Sequence, residues 1–215
     1  MAATGAVAQT TYTVTVMDGT EGAAKWLADP NPATAGQTVT VTYNGTKKVK
    51  SVKAKKNAAA TTPSLNLTSP AVGQVIGDDG KNYAYASLPS GVTAVALIWY
   101  VSGSNGLALA LSDEGKMNWA TAVTTCAAHT PAFENSTWKL PTIDEWNNMC
   151  NGAGGYATLR NSFSGIGGTN LKQDSGYWSL TENSSNAYIK WFDDGSTTTA
   201  NKAYTGGYAR ACLAF

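Results

Sequence analysis

The sequence predicts an α+β chain in two parts, a small antiparallel β module ahead of a larger mixed domain. Three observations carry that expectation. Short runs with a period of two, rich in Val, Tyr and Thr, occur near both ends of the chain. Two stretches in the middle carry the period of amphipathic helices. Between the early strands and the rest lies a stretch of Ala, Thr, Ser and Pro with no periodicity, the composition of a linker.

Residues 1–10 are small and polar and read as a disordered N-terminus. Residues 11–57 read as the β module. Tyr12, Val14 and Val16 alternate with Thr, and Val39, Val41 and Tyr43 repeat the pattern over 37–43. Asn44-Gly45 then signals a tight hairpin with a return strand over 46–56. That return strand holds six of the fifteen basic residues. No Arg or aromatic residue interleaves its lysines, so they fit an edge strand guarded against pairing better than a nucleic-acid surface.

Residues 58–70 form the linker and 71–215 the second domain. Its first element is a hairpin over 72–85, turning at Asp79-Gly80. Val95 to Val101 is continuously apolar and predicts a strand buried on both faces, followed by another over 106–111. A helix is expected over 116–128, with Trp119, Val123, Cys126 and Ala127 on its buried stripe. The second helix opens at Thr142, where Glu145 completes a capping box. Ile143, Trp146, Met149 and Cys150 form its inner face, and Gly152 stops it. A short helical piece over 156–163 follows, then strands over 177–181, 187–192 and 208–215, with a turn at Asp194-Gly195.

Composition narrows the function classes. Charged residues are only 13% and the formal net charge is +1, so no bias toward nucleic acid or acidic lipid exists. No apolar run is long enough to insert in a membrane. No charged region and apolar stretch follow Met1, so no signal peptide is expected within this sequence. The three cysteines, Cys126, Cys150 and Cys212, and the single His129 lack metal-ligand spacing; no metal and no cofactor is expected. The cysteines read as buried small hydrophobes.

Three motifs carry a resemblance. Trp138-Lys139-Leu140-Pro141-Thr142-Ile143-Asp144-Glu145-Trp146, then Tyr177-Trp178-Ser179-Leu180-Thr181-Glu182, then Tyr208-Ala209-Arg210 with the ending Ala214-Phe215, occur in that order. They resemble the signatures of C-type-lectin-like domains of the formylglycine-generating-enzyme type over about residues 70–215. The similarity is nearest to surface and pilus-tip proteins of gut Bacteroidales and to variable proteins diversified by retroelements. The residues have their own physical reading. Trp138, Leu140 and Trp178 belong in the core, and Arg210 either pairs with a carboxylate, Glu182 being the expected one, or stands solvated on an open face.

No catalytic residue is expected. The enzymes that the resemblance brings in use a cysteine pair, and Cys212 has no partner near it in sequence. His129 reads as a cap on the carbonyls of the first helix. Asp78-Asp79, Asp113-Glu114 and Asp193-Asp194 lie beside turn glycines, which explains them without acid–base chemistry. The Glu-Pro-Asn or Gln-Pro-Asp motif of calcium-dependent lectins does not occur over 70–215.

What remains is 183–208, rigid aromatics among small polar residues, the composition of a paratope. In the retroelement-diversified proteins that the chain resembles, the corresponding stretch is the variable binding surface. Diversification there acts on adenines, and an Asn codon so changed reaches Tyr, Asp, Ser and Thr but neither Lys nor Trp. The expected ligand contacts are Tyr188, Lys190, Trp191, Asp193, Asp194, Thr198, Thr199 and Tyr204. Lys190 and Trp191 are ambiguous between contact and frame, and Lys202 belongs to the frame. The resemblance implies a secreted or cell-surface protein, adhesin-like, whose partner is a protein or glycan ligand on another cell or surface, or other pilus subunits. The competing readings are a structural pilus subunit without ligand recognition and, less well supported, an enzyme of the sulfatase-activating type.

Overall fold

The computed structural model describes residues 62–215 continuously and, ahead of them, five strand segments. The chain divides into two compact units, Met1–Thr62 and Pro63–Phe215. In the first unit β1 (Thr11–Met17) lies between β3 (Ala33–Thr34) and β5 (Ser51–Lys56), both antiparallel to it. β2 (Trp26–Asp29) pairs with β4 (Thr40–Tyr43). The expected hairpin between 37–43 and 46–56 is therefore replaced. β5 returns to β1, with Val14 opposite Ala54 and Val16 opposite Val52, while β4 takes β2 as its partner. The alternating pattern fixes that these segments are strands, not which of them meet. The lysine-bearing β5 lies at a sheet edge. Residues 1–10, Asn44-Gly45 and 57–61 lie outside the described residues.

The second unit is α+β and begins at Pro63 rather than Ala71. Residues 63–67 of the expected linker are part of it: Leu65 is buried, its backbone N–H donates to Asn135 Oδ1 (2.6 Å), and Asn66 N–H donates to the Gly80 carbonyl (2.8 Å). Two sheets organise the unit. In the six-stranded sheet the order is β11 (Trp138–Lys139), β16 (Cys212–Ala214), β9 (Asn105–Ala110), β8 (Ala94–Ser102), β6 (Val75–Gly77), β7 (Asn82–Tyr83). In the five-stranded sheet it is β10 (Gly115–Met117), β15 (Gly207–Ala209), β12 (Gly176–Asn183), β13 (Asn186–Trp191), β14 (Thr197–Asn201).

The six-stranded sheet is apolar on both faces, as the run over 95–101 requires. Ile76, Ile98, Ala108 and Leu213 enter one core with Trp138, Trp178 and Ile189. Val75, Leu97, Leu109 and Cys212 enter another with Trp146, Tyr177 and Phe192. Helix α1 (Trp119–Ala127) puts Ala122 and Cys126 into the first core, and α2 (Ile143–Gly152) puts Trp146, Met149 and Cys150 into the second. The capping box of α2 forms as the sequence demands, Thr142 Oγ1 accepting from Glu145 N–H and Glu145 accepting from Thr142 N–H. Gly152 is the last residue of α2, and a glycine because a Cβ there would come within 1.8 Å of the Trp99 carbonyl oxygen; the left-handed turn follows at Gly154 (φ 78°). Helix α3 (Tyr156–Asn161) is short.

Three expectations change. Lys116 and Met117 are in β10, so α1 starts at Trp119 behind an Asn118 cap, and Ala127 is exposed. The strand β14 was not foreseen, since Thr197–Asn201 has no apolar face to reveal it. The expected terminal strand over 208–215 is two strands in two sheets, β15 and β16, separated by Arg210 and Ala211. No described helix is long and apolar enough to cross a membrane.

Candidate functional site

The site is built where β12, β13 and β15 separate. Gly176 faces Trp191 and Trp178 faces Ile189 across the β12–β13 ladder, so their side chains share one face of the sheet. Along β15, β12 makes a single parallel register pair, Tyr177 with Tyr208. Beyond it the strands diverge, and a recess of about 100 Å³ opens, lined by Gly176, Ile189, Trp191, Tyr204, Gly206 and Gly207, with Lys116, Asp174 and Ser175 at its polar side.

Glycines let the aromatic walls close in. A Cβ on Gly176 would stand 2.2 Å from Ile189 Cγ2 and 3.2 Å from the Trp191 ring; one on Gly207 would stand 2.4 Å from Trp178 Nε1. Tyr204 packs edge-on against the buried Trp178 at 6.3 Å and is itself 54% exposed, the most exposed of the large apolar side chains described. Trp191 is half-buried, and its Nε1–H donates to Thr198 Oγ1 on the neighbouring strand (2.8 Å). Two aromatic surfaces are thereby held in place, with the Lys116 amine and the Asp174 carboxylate on the same recess.

The strand register divides the expected contacts. Directly opposed residues lie on the same face, and Tyr188 opposes Thr199 while Lys190 opposes Thr197. Tyr188, Lys190 and Thr199 therefore point to the α2 side, away from Trp191, Thr198 and Tyr204. Of the two residues left between contact and frame, Lys190 falls to the frame: it is buried, donating to Asn147 Oδ1 (3.0 Å) and the Gly195 carbonyl (2.6 Å). Asp193 and Asp194 are exposed at the turn between β13 and β14. Asp194 accepts from Ser196 N–H (2.8 Å), which holds its carboxyl below the usual range, and Asp193 accepts from Asp194 N–H. Of the eight, Trp191, Thr198 and Tyr204 come together. Lys116, Asp174 and Gly176 were missed because they lie outside 183–208, and Gly207, inside it, because a glycine in a polar stretch does not reveal the Trp178 ring it accommodates.

Other polar expectations resolve into architecture. Arg210 pairs with Asp113 and not with Glu182. Glu182 instead holds Lys202, which also donates to the Ser184 carbonyl (2.8 Å) and lies 4.8 Å from the centre of the Trp119 ring. His129 does not cap carbonyls with its ring; Nδ1 lies 2.5 Å from Glu114 Oε1 and the ring packs edge-on to Trp138 at 4.4 Å. Asp113 and Glu114 thus tie down Arg210 and His129 rather than simply making a turn. The three cysteines are free and buried, and burial pushes all three thiols up, against thiolate chemistry. Among the described residues no group of three or more His, Cys, Asp or Glu gathers as metal ligands do.

Comparison with known proteins returns no match to a family model and none to a curated protein sequence.

Proposed function

We propose that residues 63–215 form a C-type-lectin-like domain of a secreted or surface-displayed, adhesin-like protein, which binds a protein or glycan ligand and catalyses no reaction. The carrying observation is the recess between Trp191 and Tyr204, two aromatic side chains presented to solvent and fixed by a hydrogen bond and a buried tryptophan. Rigid aromatics of this kind give large contact area at low entropic cost, which is how binding surfaces concentrate their energy. The fold reading draws support from the places of its motif residues. Trp138, Leu140 and Trp178 are core, Thr142 caps α2, and the last strand lies between two neighbours. The chemistry on offer is stacking and hydrogen bonding, and neither His129 nor any cysteine borders the recess.

Screening the full chain on glycan and protein arrays tests the reading. A ligand found there should lose affinity by about 1–4 kcal/mol with Trp191→Ala or Tyr204→Ala. Tyr188→Ala, on the opposite face, should leave binding intact. Loss on Tyr188→Ala with retention on the other two would place the surface elsewhere.

A further inference from the structure

The strand β14 has one neighbour among the described residues, β13. Trp191 N–H donates to the Ser196 carbonyl and Lys202 N–H to the Ser185 carbonyl, which sets the alternation of the ladder. Thr198 and Ala200 turn their backbone groups toward β13, so Thr197, Thr199 and Asn201 turn theirs outward. The outer edge is Thr-Thr-Thr-Ala-Asn, with its three threonines exposed. It carries no charge, no proline and no bulge, the devices by which natural edge strands are kept from pairing. The other edges of the unit differ. β7 and β11 have two residues each, and β10 has three with Lys116 at its centre.

We infer that β14 is an interaction edge, and that its partner is β14 of a second copy of this chain, antiparallel about a two-fold axis at Thr199. In that register Thr199 N–H of each copy donates to the Thr199 carbonyl of the other, Thr197 meets Asn201, and Thr198 meets Ala200. The small, uncharged strand is its own complement, and nothing on it would attract a charged peptide. The flanking charges agree. Lys202 is already neutralised by Glu182, and Thr197–Asn201 sets no charged residue against another. Pairing uses the edge completely, so the assembly closes at two chains.

Sedimentation of the full chain over a concentration series tests this, together with two variants. Thr199→Cys puts a thiol on the axis, where paired Cα atoms stand about 5.5 Å apart, within disulfide reach; the native thiols are buried and do not compete. Thr199→Pro removes an outward N–H and leaves the β13 ladder whole. The expected result is a mass that rises from one chain to two, a reducible covalent dimer for Thr199→Cys, and a single chain at every concentration for Thr199→Pro with unchanged melting. If Thr199→Pro does not fold, Thr199→Lys replaces it with the same expectation. A single-chain mass throughout with no cross-link overturns the inference. So does a dimer that survives Thr199→Pro without cross-linking through Cys, and so does growth beyond two chains.

Discussion

Arg210 and Asp113 meet across 97 positions of sequence, Nε donating to Oδ1 at 2.7 Å, with the Arg side chain wholly buried. The pair sits where the chain passes from β15 in one sheet to β16 in the other, and Arg210 also donates to the Thr169 carbonyl (2.7 Å) and lies 4.6 Å from the centre of the Phe163 ring. Its Nη1 has no partner. Removing one member leaves a buried charge uncompensated. Asp113→Ala should therefore destabilise by about 3–5 kcal/mol in denaturant titration. Arg210→Met with Asp113→Leu should recover much of that loss. Equal costs for the single and double changes would show that the ion pair is not what joins the sheets.

The boundary at Pro63 gives a second expectation. A fragment of 63–215 should melt cooperatively on its own. A fragment of 71–215 lacks Leu65, whose burial is worth about 1.5–3 kcal/mol, and the paired bonds between Leu65 and Asn135. Calorimetry should show it melting lower. Identical melting of the two fragments would return 63–70 to the role of a mere connector.

Cysteine reactivity offers a third. Burial raises the thiols of Cys126, Cys150 and Cys212; nearby Glu114 adds to the effect at Cys126, and nearby Lys190 partly opposes it at Cys150. The folded chain should not react with a thiol-specific disulfide reagent at mildly alkaline pH, and the denatured chain should react at all three positions. Fast labelling of the native state would expose a thiolate where the packing forbids one.

The β13–β14 turn responds to acid. Hydrogen bonds to the ionised carboxylate, from Ser196 first, hold Asp194 below the ordinary carboxylate range. A depressed carboxyl contributes stability that is complete above the unfolded value and is lost as pH falls through the folded one. The Asp194 side-chain resonance should thus titrate below that of an ordinary Asp, and Asp194→Asn should melt below the parent at neutral pH and approach it in strong acid. A normal titration midpoint would remove the carboxylate from the turn.

Much of this was legible in the residues themselves. The capping box at Thr142, the doubly buried strand over 95–101 and the core places of Trp138 and Trp178 rest on local chemistry and short-range period, which one segment carries alone. The site was half legible. The aromatics at 191 and 204 stand out in a polar stretch, but the face each takes depends on strand parity and on β14, whose threonines give no apolar period. Lys190 shows the cost: it is a charged residue in a polar stretch, yet it is buried and its amine reaches Asn147 on α2, a contact without any sequence signal. The pairing of Arg210 with Asp113 likewise arises from sheet topology, as does the exchange of strand partners in the first unit.

Leu65 and Phe215 line one recess of about 260 Å³ with Asn135 and Ser104, and Phe215 exchanges backbone hydrogen bonds in both directions with Gly106. The chain thus comes into the second unit beside the point where its last strand finishes. Tension applied through both ends would act at that corner, against Leu65, Asn135 and the Gly106 pair. The strand that holds Trp191 and the connection between β14 and β15 that holds Tyr204 would lie off the load path. In the surface-displayed role proposed above, the aromatic recess would keep its geometry under shear until β16 peels.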